Sequence, residues 1–155
     1  TTKIINFNNN EFIGVGHIKI SYKNIKDTNA NLISLVEKIK KKYNLIDNIN
    51  KWYKLYPHII HYNDYFYFMF FYTINRNLKI NKISNFFIPK SNIETLVNFP
   101  SLIDSFKENE YNLIYSINDK YLCKLIFNKD QINKELLLID NIIFEDLKFI
   151  IDFEI

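Results

Sequence analysis

YFYFMFFYTI, residues 65–74, decides how this chain folds. The run is uninterrupted by charge, yet Asn63 and Asp64 stand directly before it. A helix crossing a bilayer needs about 20 apolar residues, so the run is too short to span. Its Tyr and Phe content favours strand over helix. Asn-Asp between two apolar runs is turn chemistry, which predicts a hairpin of residues 58–62 and 65–74. Side chains alternate along a strand. Phe66, Phe68 and Phe70 therefore share one face, and Tyr67, Met69 and Phe71 the other. A strand apolar on both faces is expected at the centre of a sheet covered on both sides.

Working outward, KIINF (3–7) and EFIGVGHIKISY (11–22) read as strands joined by an Asn turn. Gly14 and Gly16 lie within the second strand, where glycine marks a bulge or a close approach of another group. Residues 78–83 and 86–88 extend the sheet to Pro89, and 111–117 and 120–127 repeat the hairpin pattern around Asn118-Asp119. Leu32, Leu35, Val36, Ile39 and Tyr43 recur at helical spacing, predicting an amphipathic helix over about 29–43. A short helix is expected over about 48–56, ended by Pro57. Ser91 with Glu94, and Ser101 with Asp104, match helix-capping patterns, so two further short helices are expected around Phe99-Pro100. In the tail, 135–139 and 149–154 read as strands. The expected fold is one α+β domain over 1–155, with a largely antiparallel sheet, a central aromatic strand, one amphipathic helix and several short helices.

Composition sets limits on function. The 155 residues include 14 Phe and 11 Tyr, but one Ala, two Gly and one Arg. Lys, Asn, Ile, Phe and Tyr dominate, the mark of a very AT-rich genome, so enrichment in Lys or Asn says little about role. Net charge is +3, short of the clustering expected of a dedicated nucleic-acid binder. Lys38, Lys40, Lys41 and Lys42 suit the C-terminal end of the predicted helix. The single cysteine, Cys123, alternates with apolar residues as a small core side chain, and nothing argues for an oxidising compartment. An intracellular, reducing location is expected. The chain starts at Thr1 without Met, which suggests a processed or trimmed start, and its first residues carry no signal-peptide pattern.

Chemical motifs are sparse. With two glycines, Gly-rich phosphate loops and nucleophile elbows are missing. His58 and His61, three apart on a strand, point to opposite faces, and no cysteine stands at ligand spacing. No metal and no cofactor are expected. One catalytic set is conceivable: His17, His61 and Lys19 as base, acid and phosphate-binding cation of a metal-independent nuclease or phosphodiesterase. The favoured expectation is a non-enzymatic domain that binds another macromolecule. It could serve as a subunit of a larger assembly, or as a viral or toxin-neutralising interaction protein. Tyr and Lys interleaved can stack nucleobases, but tyrosine is equally a protein-interface residue, so another protein is the expected partner and nucleic acid the alternative. The expected contact site is Trp52, Tyr53, Tyr56 and Tyr62, rimmed by Lys51 and Lys54. On a helix Trp52 and Tyr53 point about 100° apart, so one core cannot bury both.

Overall fold

A computed structural model describes residues 3–21, 34, 41, 65–89, 97–105, 107–117, 121–141 and 147–153. The aromatic run forms strand β3, Tyr65–Asn75. It pairs along its whole length with β2, Glu11–Ser21, which in turn pairs with the short β1, Ile5–Asn6. On its other edge β3 meets β4, Ile80–Ile83, and then β5, Phe86–Pro89. Ser84 bridges that hand-over. Its N–H donates to the Phe71 carbonyl, and its hydroxyl accepts from the Phe71 N–H, each at 2.9 Å. The central strand thus keeps its backbone groups satisfied between two short partners.

A second, three-stranded sheet runs in the order β6 (Val97–Asp104), β7 (Glu110–Ile117), β8 (Tyr121–Asn128). A helix, α1 (Lys129–Glu135), follows directly. Beyond it, β9 (Leu137–Leu138) pairs with β4, and β10 (Phe149–Phe153) pairs in parallel with β5. The two sheets share one core. Phe71 of β3 meets Phe127 of β8 edge-on, with centroids 5.3 Å apart. Ile13, Val15, Leu102, Leu113 and Ile132 are fully buried in the same cluster. Tyr111 joins the sheets a second way, its hydroxyl donating to the Asn6 carbonyl at 3.0 Å. Burial, helped by the Asp104 charge, pushes its phenol up to about 12.

Both faces of β3 are covered around its middle. Met69 and Phe71 are buried on one face and Phe68 on the other. Phe70, on the second face, packs edge-on against Phe86, with centroids 5.5 Å apart. The glycines of β2 explain how that face closes. Gly14 stands opposite Tyr72 and Gly16 opposite Phe70 in the ladder. The Tyr72 ring covers Gly14 so closely that a Cβ there would meet its Cζ at 2.6 Å, and the Phe70 ring would clash with a Cβ on Gly16. Close approach of an aromatic ring, without a bulge, is the reason for glycine at both positions.

The α+β expectation with several short helices is corrected to a predominantly β architecture. Among the described residues ten strands carry the fold, and Lys129–Glu135 is the only α-helix seen end to end. Ser34 and Lys41, the two described positions of the expected 29–43 helix, are helical. The rest of that segment, the 48–56 helix, the strand 58–62 and Ser91–Glu94 lie outside the described residues. At Ser101–Asp104 the expected helix is the end of strand β6. A cap contributes about 1 kcal/mol. Fully burying Leu102 opposite Leu113 contributes more. Pro100 is tolerated because β6 is a sheet edge and its register shifts between Asn98 and Ser101.

In the tail, the strand expected at 135–139 is reduced to Leu137–Leu138, followed by a 3-10 turn at Ile139–Asn141. Helix α1, which no expectation covered, is set by a capping box. The Asp130 N–H donates to Asn128 Oδ1 at 2.8 Å, and the Asn128 N–H donates to Gln131 Oε1 at 2.9 Å. Ile132 then anchors it in the core.

Candidate functional site

Strand parity on β2 places Glu11 on the same face as Ile13 and Val15, which is the core face. A carboxylate there must be compensated or neutralised. Glu11 is fully compensated. Its Oε1 accepts from Thr73 Oγ1 at 2.9 Å and from Asn81 Nδ2 at 2.6 Å. Its Oε2 accepts from Asn8 Nδ2 at 2.8 Å and from Lys82 Nζ at 2.9 Å. Asn81 and Lys82 are consecutive, yet both reach the same carboxylate. The ladder slips by one residue between Thr73 and Ile74, and such a bulge re-aims a side chain. Burial alone would raise the Glu11 pKa. The donors Lys82, Asn8, Asn81 and Thr73 outweigh it and hold the carboxyl at about 2. With every lone pair engaged and its basicity held this low, Glu11 is poorly suited to act as a general base at neutral pH. It is a clasp joining the Asn turn to β3 and β4.

Arg76, the chain's one arginine, ties the same corner. Its Nε and Nη2 both donate to the Asn9 carbonyl. Two parallel donors in a planar fork are what lysine lacks. The two turns flank a cleft of about 440 Å³ lined by Asn6, Asn8, Asn9, Asn10, Glu11, Phe12 and Arg76.

The register shows an apolar surface at this end of the sheet. Phe12 stands opposite Ile74, and Ile74 opposite Ile80. Directly opposed residues share a face. Two positions along, Gly14, Tyr72, Ile83 and Leu137 form the next cross-strand row on that face. Phe68, further along, is buried. At the β3–β4 end, Phe12, Ile80 and Leu137 are exposed, Ile80 to 52%. Leu78, at the tip of the β3–β4 turn, is 77% exposed and has φ 60°. That left-handed position is usually given to Gly or Asn.

Of the residues singled out from sequence, His17 and Lys19 are described. Both are exposed on one face of β2. The His17 ring lies 5.7 Å from that of Tyr67, and Lys19 Nζ lies 5.9 Å from the same ring. Their expected partner His61, and Lys51, Trp52, Tyr53, Lys54, Tyr56 and Tyr62, lie outside the described residues. Sequence reasoning missed Glu11, Leu78 and the Phe12–Ile74–Ile80 row. The signals were a charged residue at core parity in EFIGV, and a leucine where the turn NRNLK calls for glycine.

Among the described residues no group of three or more His, Cys, Asp or Glu could hold a metal ion, and no helix is long and apolar enough to cross a membrane. The chain matches no protein-family model, no curated protein and no solved structure.

Proposed function

We propose that this chain is a non-catalytic β domain that works by binding another protein. The observation that supports the reading is the exposed apolar surface where β2, β3, β4 and β9 meet. Phe12, Ile80 and Leu137 are exposed there, and Ile74, Tyr72 and Ile83 lie half-buried between them. Solvated faces of antiparallel sheets normally alternate to polar residues. Contiguous apolar area on such a face marks a contact site.

The test is a pair of surface variants, Ile80→Ser and Leu137→Ser. Both side chains are substantially exposed, so stability should stay within about 0.5 kcal/mol. Partner proteins recovered with the wild-type chain should be lost with the double variant. Retention of the same partners by a folded double variant would remove this face from consideration.

A further inference from the structure

Leu78 combines two features that a turn residue normally avoids. Its backbone is left-handed, at φ 60°, and its side chain is 77% exposed. Glycine would adopt the same backbone without a steric cost. Burial within the chain does not explain the leucine. Strain held at a surface position points outward, to what the side chain meets.

The turn also fixes the Leu78 backbone. Asn75 Oδ1 accepts from the Asn77 N–H at 3.0 Å and the Lys79 N–H at 3.1 Å. The Leu78 N–H donates to the Asn75 carbonyl, and the Asn75 N–H to the Lys79 carbonyl, each at 2.9 Å. Arg76 clamps the turn to Asn9. An apolar side chain carried on a fixed backbone loses less entropy when it enters a pocket than one on a mobile loop. It is flanked by two exposed cations, Arg76 and Lys79, and among the described residues neither forms an ion pair.

We infer that Leu78 is the anchor of the protein contact, inserted into an apolar pocket of a partner whose rim is acidic. The inference rests on the protein-binding reading above and names the partner's chemistry. A leucine between two cations fits an apolar pocket edged by Asp or Glu, and like charge opposes a second copy of this turn.

Photo-reactive leucine at position 78, and separately at 80 and 137, tests it in a native lysate. The protein crosslinked from position 78 is identified, purified and titrated with the 155-residue chain at two salt concentrations. Leu78→Gly should weaken binding at least tenfold while the fold becomes more resistant to heat. Arg76→Gln with Lys79→Gln should flatten the salt dependence, and the crosslinked pocket should carry Asp or Glu at its rim. Crosslinking from 80 or 137 but not from 78, or binding by Leu78→Gly within twofold of wild type, overturns the anchor and leaves the protein-binding reading standing. A crosslink only to a second copy of this chain, or a pocket without acidic residues, overturns the acidic-rim partner. No adduct from any of the three positions overturns both readings.

Discussion

The Phe70 ring occupies the space where Gly16 would carry a side chain, and packs edge-on against buried Phe86 behind it. Gly16→Ala must displace a half-buried ring that is backed by Phe86. The variant should lose about 1–3 kcal/mol, the usual range for overpacking. Gly14→Ala should cost less, because it meets half-buried Tyr72 where Gly16→Ala meets a ring packed on fully buried Phe86. Chemical denaturation of both variants checks the order. Combining Gly16→Ala with Phe70→Leu should be less destabilising than the sum of the two single changes. Strict additivity would show that the ring is not the obstacle.

Glu11 should make stability fall in acid. Its carboxyl is held at about 2 in the fold, against an ordinary value of 4.5. A depressed pKa stabilises the folded state above the unfolded value, so the contribution is complete above about pH 4.5. It is lost as pH falls towards 2. At 1.36 kcal/mol per unit the gap corresponds to roughly 3 kcal/mol. Denaturation midpoints between pH 6 and 2, for wild type and Glu11→Gln, isolate it. The variant should be less stable at pH 6 and flatter in acid. Parallel curves would show that other carboxylates carry the acid response.

Leu78→Gly should stabilise the isolated domain. It relieves a left-handed conformation that costs a leucine about 1 kcal/mol, and the side chain it removes is largely exposed and contributes little to stability. Part of the gain is offset by the freedom glycine adds to the unfolded chain. A rise in melting temperature of about one to two degrees is expected. A fall would mean that the leucine side chain packs against the fold.

Phe68→Ala should cost about 3–5 kcal/mol, as for other buried aromatics. Phe68 is fully buried on the second face of β3. Tyr72→Ala, half-buried on the same face, should cost clearly less. Equal losses, measured by denaturant midpoint at constant slope, would contradict the burial gradient along this strand.

Local patterns already specify much of this architecture. Eleven consecutive residues of β3 share one hydrogen-bonded ladder with β2, and the aromatic run, apolar on both faces, is legible as its centre. The hairpin strands β7 and β8 are legible for the same reason, since period-two alternation is a property of neighbours in the chain. Other features were settled only by groups far apart in sequence. Ser101–Asp104 carries a helix-capping pattern, but Leu102 is buried opposite Leu113, and that partner makes it strand. Glu11 is stable at a core position because Thr73, Asn81 and Lys82 arrive from 62 to 71 residues away. The exposed row at Phe12, Ile74 and Ile80 depends on register, and a one-residue slip places Asn81 on the Glu11 face. Propensity and alternation act over a few residues, whereas burial, charge compensation and register are set by which strands meet, and here only the tertiary structure decided that.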